Sequence, residues 1–366
     1  MSILLNTEGI FAQSRTFSEQ PEILLGLKLD RSPSLTFADV DGDGDLDVLV
    51  ANGRHWPQAN EVFLNNGRGR FTISYQLGVM SSTTYAVPAG DLDGDGDLDV
   101  VAANDSAPNM IYLNDGLGRF SLAGALGPEV EPTRGIKLAD LNGDGMLDAL
   151  VTNRGAENGI YLNEGNNRFG KKRGFGTSDD STISLEVADV NQDGYPDLIL
   201  ANRDGQGNIV YLNDSGLSFS RSFPFGTGND ETRAVAIGDM NGDGHLDIVT
   251  ANIGESNGVC FGDSKGRFDE GIRFGRQDGR TYSVIVTDLD NDDDLDIVTG
   301  NVGMQNVVYF NDGTGKNFVE LRFGGPEDIT YGVAVGDVNA DGFPDIGVAN
   351  SDGLNGIHIN RPNRNR

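Results

Sequence analysis

The residues able to do chemistry in this chain are concentrated in a nine-residue stretch, 39–47 (DVDGDGDLD), which occurs seven times. The other copies open at Asp91, Asp140, Asp189, Asp239, Asp288 and Asp337, in steps of 52, 49, 49, 50, 49 and 49 residues. Each copy places oxygen-bearing side chains at positions 1, 3, 5 and 9. The first four sets are Asp39, Asp41, Asp43 and Asp47; Asp91, Asp93, Asp95 and Asp99; Asp140, Asn142, Asp144 and Asp148; and Asp189, Asn191, Asp193 and Asp197. The last three are Asp239, Asn241, Asp243 and Asp247; Asp288, Asp290, Asp292 and Asp296; and Asp337, Asn339, Asp341 and Asp345. Position 6 is Gly except in the sixth copy, where it is Asp293.

So many carboxylates within nine residues repel one another unless a cation lies between them. Oxygen donors in a flexible loop suit Ca²⁺ better than Mg²⁺, which keeps several waters and a strict octahedron. Side chains at 1, 3 and 5, followed by a backbone carbonyl at 7, is the order of the first half of an EF-hand loop. Here the closing acid comes at position 9 and no flanking helix is evident. Asp, Asn and Gly also crowd metal-free Asx turns. Seven copies in one register favour the metal: up to seven Ca²⁺ ions, one per repeat.

The loops explain much of the formal net charge of −29, because 28 of the 56 acidic residues are aspartates inside the seven windows. Seven bound Ca²⁺ would bring −29 to −15. What remains still disfavours nucleic acid or an anionic membrane as partner. The single cysteine, Cys260, excludes an internal disulfide. That fits a reducing compartment or a fold fastened by metal instead. No stretch is long enough for membrane insertion, and MSILLNTEGIF shows no signal peptide. Weak calcium loops fill where calcium is millimolar, so an extracellular or periplasmic location is expected.

The second repeat shows the elements that must hold a loop. YAVPAGD (85–91) leads into it, LDVVAAN (98–104) leaves it, NMIYLN (109–114) follows a short gap, and SLAGALG (121–127) comes after DGLGRF. These are four short strands, A to D, with the acidic loop joining A to B and Asn-Asp-Gly as a hairpin cue between C and D. Strand B is nearly all apolar (VLVAN, LILAN, IVTAN), as a strand buried on both faces should be. No helical period of useful length appears. Four antiparallel strands in about fifty residues, repeated seven times, predict an all-β chain. The expected fold is a seven-bladed β-propeller forming one domain over 1–366. Blades are expected at about 33–77, 84–126, 133–175, 182–225, 232–274, 281–323, and 330–360 plus 10–17.

The chain resembles the FG-GAP or VCBS-type repeat family, as in the seven-bladed propeller of integrin α-subunits. The resemblance covers essentially the whole chain. It is carried by the D-x-[DN]-x-D-G-x-x-D loops and by Phe-Gly pairs at 175–176, 225–226, 274–275 and 323–324. It implies calcium in the A–B loops, on the face opposite the usual ligand face. Asp293 departs from the pattern, but Asp tolerates the left-handed conformation better than most residues.

The ends predict how the ring closes. Gly-x-Phe opens strand D at Phe71, Phe120 and Phe268, a related x-x-Phe does so at Phe169, Phe219 and Phe318, and the seventh blade stops after GIHIN (356–360). The missing motif stands at the other end, as Gly9-Ile10-Phe11. The N-terminal strand is therefore expected to join the last blade, through residues 10–17, and remove the open edges. ILLN (3–6) competes with 356–360 for strand C, and residues 19–32 form an insertion before blade 1.

Other positions recur. Asn stands five residues past each loop (Asn52 through Asn350) and again at the start of each strand C (Asn60 through Asn355). The expectation is side-chain bonds that bracket the B–C loops, rather than a ring of amides offered to a ligand. Thr stands seven residues before six loops, followed by Tyr85, Arg134, Ile183, Arg233, Tyr282 and Tyr331. If strand A is innermost, these variable residues ring the channel mouth, reading a ligand or plugging the channel. The blade 1 B–C loop, GRHWPQA, adds His55 and the only tryptophan, Trp56, placed either to stack on a ligand or to fold back as a lid.

Two functions compete. One is a monomeric, calcium-binding, non-enzymatic recognition or adhesion module for a glycan or surface protein, with ligand residues His55, Trp56, Tyr85, Arg134, Arg233, Tyr282 and Tyr331. The alternative is a carbohydrate-active enzyme, a polysaccharide lyase or hydrolase with its site at the channel mouth. The histidines sit in different blades, and the aspartate-rich background would hide a carboxylate pair, so no catalytic residue is assigned. Binding is the favoured reading.

Overall fold

The computed structural model describes residues 15–269 and 271–363. Within them every regular element is a β-strand. Blade 1 runs A Ser34–Ala38, B Asp47–Ala51, C Glu61–Leu64 and D Ile73–Gln76, each antiparallel to the next. Blades 4, 5 and 6 repeat this order from Thr182, Thr232 and Thr281. The chain is a seven-bladed propeller of four-stranded antiparallel blades.

Period-two and all-apolar runs place the core as the sequence predicts. The five or six strand B residues of blades 1 and 3–7 are all buried, because each B strand is covered by both neighbouring blades. The outer strands D face solvent, with only the closing Phe of the Phe-Gly pairs turned inward. Burial occurs between blades, in a separate apolar cluster at each interface. One joins Leu49, Val62 and Leu77 of blade 1 to Val87, Val100 and Tyr112 of blade 2. Another joins Val48, Val50 and Phe63 of blade 1 to Ala334, Val338 and Ile357 of blade 7, so the ring is closed. Phe71, Phe120, Phe169, Phe219, Phe268 and Phe318, which open the D segments, pack against these clusters.

The recurrent Asn and Thr residues form a second, polar closure. Asn60 Nδ2 donates to Thr84 Oγ1 of the next blade (3.1 Å), which donates to Asn104 Oδ1 (2.8 Å). The same pair of bonds recurs through Thr133, Thr182, Thr232 and Thr330. Within each blade the backbone N–H of the first Asn donates to Oδ1 of the second, at 2.7–3.0 Å in all seven. The amides bracket the B–C loops as expected, and they also tie blade to blade. Blade 1 has no Thr at this position; Ser32 takes its place, accepting from Asn355 at 2.8 Å and donating to Asn52 at 2.6 Å.

Two expectations are corrected. The strand that completes blade 7 is not in 10–17 but in the supposed insertion: Ile23–Leu24 pairs antiparallel with Gly356–His358. Bonds from Glu22 N–H to Ile357 O and from Leu25 N–H to Asn355 O extend the pairing. Alternation explains the choice, since Ile23 and Leu25 turn into the interface between blades 7 and 1. Arg15–Thr16 instead pairs with Arg361–Pro362, and Phe17 fills the interface between blades 6 and 7. Residues 10–14 and the competing ILLN at 3–6 lie outside the described residues. Second, strand A of blade 2 is split into Thr84–Ala86 and Ala89–Gly90 around Pro88, whose missing N–H cannot join a ladder. Strand B of that blade is correspondingly long, Asp99–Ala107, and pairs also with Glu131–Ala139, fusing the sheets of blades 2 and 3.

Candidate functional site

The acidic loops all lie on one face, because each joins strand A to strand B at the same end. Their conformation is held by their own carboxylates. In all seven, the position-1 aspartate accepts from the backbone N–H of position 6, at 2.7–3.0 Å. The position-5 aspartate accepts from the N–H of position 7. Position 6 has a positive φ throughout, 84–97° at the glycines and 71° at Asp293, as the sequence predicts. A Cβ at Gly44 would meet nothing within 4 Å, so glycine serves conformation there and not space. Position 4 is left-handed as well, which the sequence did not reveal because Gln192, Asn291 and Ala340 occupy it in three loops.

Position 9 has a different role from the rest. Asp47, Asp99, Asp148, Asp197, Asp247, Asp296 and Asp345 are fully buried. One oxygen of each accepts from the position-2 N–H, as Asp47 does from Val40 (3.0 Å). The other accepts from the N–H just past strand C, as Asp47 does from Asn65 (2.7 Å). Each of these carboxylates thus pins the acidic loop to the C–D turn. Burial raises their pKa against those donors: Asp47, Asp99, Asp197 and Asp247 to about 6, Asp345 to about 7 and Asp296 to about 8. Sequence reasoning missed the partner residue. Asn65, Asn114, Asn163, Asn311 and Asn360 close strand C, and each donates its amide to the position-2 carbonyl of another blade's loop, at 2.7–2.8 Å. The recurring Leu-Asn and Phe-Asn ends of strand C were the available signal.

The donor set fits a calcium ion. Asp39, Asp41 and Asp43 bring ligand oxygens within 4.8 Å of one another, and so do Asp91, Asp93 and Asp99, and Asp288, Asp290 and Asp296. At position 3, one oxygen each of Asp41, Asp290 and Asn339 is buried without a hydrogen-bond partner. Such an orphan costs free energy unless something positive faces it. Asp290 is pushed up to about 6 by burial and by the charges of Asp292 and Asp288, which outweigh the opposing charge of Arg15. Calcium with oxygen ligands relieves both defects.

On the opposite face the structure gathers five of the seven ligand candidates. In blades 2–7 strand A carries a β-bulge immediately after Thr. Thr84 pairs with Asn104 and Ala86 with Ala103, which leaves Tyr85 out of the ladder. Arg134, Ile183, Arg233, Tyr282 and Tyr331 are displaced in the same way. All six line one cavity of about 230 Å³ in the channel mouth. The Arg134 guanidinium lies 4.5 Å from the Tyr85 ring and pairs with Asp105 at 3.0 Å. Tyr282 and Tyr331 meet edge to face at 4.7 Å. His55, left-handed at φ 67°, brings Nδ1 to 3.4 Å from the Tyr85 hydroxyl. Trp56 stays at the rim, 64% exposed with the Arg31 guanidinium 5.9 Å away, so it is not a lid on its own blade. A second cavity, about 430 Å³ between blades 5 and 6, is lined by Arg276, Met304, Gln305 and Tyr309 and was not anticipated.

Comparison with known proteins agrees with this architecture. The chain is similar to the crystal structure of the BP39L lectin from Burkholderia pseudomallei (12% identity, 91% of this chain and 99% of that one, TM-score 0.67). It is also similar to BBS1N, crystallised in complex with ARL6DN (12% identity, 96% and 98% covered, TM-score 0.62). At that identity the likeness is one of fold. No curated protein sequence matches. No helix among the described residues is long and apolar enough to cross a membrane. The FG-GAP-like repeat model matches residues 39–102, 91–151, 140–200, 189–250, 239–299 and 288–348, six overlapping windows that take in all seven acidic loops. With residues 39–348 matched by that repeat, the chain belongs to the FG-GAP-like repeat family.

Proposed function

We propose that the protein is a calcium-stabilised, non-enzymatic recognition module that binds a glycan or a surface protein on the face opposite the calcium loops. One observation carries this reading: the bulge repeated in six blades delivers Tyr85, Arg134, Ile183, Arg233, Tyr282 and Tyr331 into one mouth. A common backbone device that carries tyrosine in three blades, arginine in two and isoleucine in one is how a rigid scaffold presents a recognition surface. Among the fold neighbours one is a lectin and another was crystallised with a protein partner, which supports recognition of either kind. Calcium, one ion per loop, fixes the blades from below and needs millimolar calcium to fill weak sites, so the module works outside the cytosol.

The test is a glycan array in millimolar calcium, repeated after chelation, with Trp56→Ala and Tyr85→Ala beside the parent chain. Calcium-dependent binding to one sugar class, weakened by either substitution at unchanged melting temperature, supports the proposal. A folded protein that binds no glycan, and captures no surface protein in a pull-down, refutes it.

One contact favours the enzymatic alternative, a polysaccharide lyase: the Tyr85 hydroxyl beside His55 Nδ1, with Arg134 over the ring. Tyr and His so placed can exchange a proton. Growth of ultraviolet absorbance from an unsaturated product, lost in Tyr85→Phe, would establish it.

A further inference from the structure

We propose that the ligand of the channel mouth is an acidic glycan, whose carboxylate or sulfate is held by Arg54 and Arg233. The inference rests on the recognition reading above and narrows it.

The starting observation is an imbalance of charge. The chain is strongly acidic, and most of its arginines near this face are already paired: Arg31 with Asp352, Arg134 with Asp105, Arg154 with Asp204 and Arg203 with Glu231. Arg54 and Arg233 form no ion pair among the described residues. They come from different blades and both reach the tyrosines of the mouth, where their positive charges oppose the upward shift that burial gives the Tyr331 phenol. Arg54 lies 3.9 Å from the Tyr331 ring centre and Arg233 lies 5.7 Å from that of Tyr282. An aromatic face steadies a guanidinium but does not neutralise it.

Arg233 is the sharpest case. Burial and the charges of Arg203 and Arg134 push it down to about 10. The acid in the channel lining, Glu186, is taken up by Lys137 at 2.6 Å. An unpaired guanidinium in a confined site is costly, and a ligand anion in bidentate contact removes the cost.

The aromatic lining specifies the rest of the ligand. Tyr85 and Tyr331 are buried beneath the guanidiniums of Arg134 and Arg54, and half-buried Tyr282 is the tyrosine most open to a cavity of about 230 Å³, room for a sugar ring and not for a protein surface. The apolar face of a pyranose stacks on such a ring. Trp56, open at the rim and next to His55 in the chain, gives a further ring somewhere to stack outside the mouth. An acidic oligosaccharide meets both requirements at once.

The test is calorimetric titration of the whole chain in millimolar calcium with tetragalacturonate, its methyl ester, and a κ-carrageenan tetrasaccharide. Inorganic sulfate and hexaglutamate serve as comparison anions. The expected result is binding of an acidic tetrasaccharide roughly tenfold or more tighter than of the methyl ester, weakening as salt rises. Whether the uronate or the sulfated sugar binds identifies the anion. Arg233→Met should weaken that binding about tenfold. Arg54→Gln, at a half-buried loop side chain, should weaken it severalfold and carries the test if Arg233→Met misfolds. Equal binding of the methyl ester, unmoved by these variants, overturns the acidic ligand and leaves a glycan module standing. Hexaglutamate as the only ligand overturns it in favour of protein recognition. Inorganic sulfate binding as well as the sulfated sugar overturns it as well. A folded protein that takes none of these removes both this inference and the glycan form of the function.

Discussion

Asn355, in the last blade, donates its amide to the hydroxyl of Ser32, ahead of the first blade, at 2.8 Å, although 323 residues separate them. Ser32 passes the bond on to Asn52. The two ends of the chain thus meet through the same polar link that joins interior blades through Thr. All three groups are buried, so breaking the link strands polar atoms. Ser32→Ala should cost about 1–3 kcal/mol by urea unfolding. Ser32→Thr, which restores the residue of the other blades, should stay within about 0.5 kcal/mol of the parent. A neutral Ser32→Ala would show that the seam is held by its apolar cluster alone.

Calcium removal should destabilise the whole ring. Binding to the native state contributes RT ln(1 + [Ca²⁺]/Kd) per site, or about 2.7 kcal/mol at a hundredfold excess over Kd. Chelation is therefore expected to lower the melting temperature by many degrees, with recovery on adding calcium and not magnesium. An unchanged melt, measured by circular dichroism, would end the calcium assignment.

Position 3 should show opposite signs with and without the ion. In Asp290→Asn the buried charge and its repulsion with Asp288 and Asp292 are removed. The metal-free protein should gain about 1 kcal/mol, while calcium titration should find one site weakened. A loss of stability in the metal-free state would mean that Asp290 is held by contacts other than the ion.

The position-9 aspartates set the pH response of the metal-free protein. Their folded pKa values, about 6 to 8 for Asp47, Asp99, Asp197, Asp247, Asp345 and Asp296, lie above the unfolded value of 3.8. The native state therefore binds more protons than the unfolded chain between those values, and stability falls as pH rises through that window. Metal-stripped protein should resist urea better at pH 5 than at pH 8, by an amount on the order of 1–3 kcal/mol per site. In calcium the trend should reverse, because acid displaces the ion. Urea midpoints across pH, with and without calcium, check both halves.

Ala340 occupies position 4 of the seventh loop at φ 57°, where four of the other loops carry glycine. Ala340→Gly should stabilise by about 1 kcal/mol, since the left-handed conformation costs an L-residue roughly that much. No gain would mean that glycine's larger unfolded-state entropy offsets the relieved strain.

The seven loops, the four-strand unit, the buried B strands and the propeller itself were legible in the sequence, because a repeat writes the same local physics seven times. Position-specific residues such as Gly44 or Asp47 stand out against that register. Closure was legible only in part. The sequence favoured residues 10–17 by motif, whereas pairing of Ile23 with Ile357 was decided by which alternate side chains fill the interface between blades 7 and 1. The bulge that ejects Tyr85 and Arg233 is a two-against-one count of residues across strands A and B, invisible in either strand alone. The unpaired state of Arg233 depends on neighbours from other blades. Local pattern determined the loops and the blades; the seam and the channel mouth depend on contacts between residues far apart in the chain, and only the closed ring brings those together.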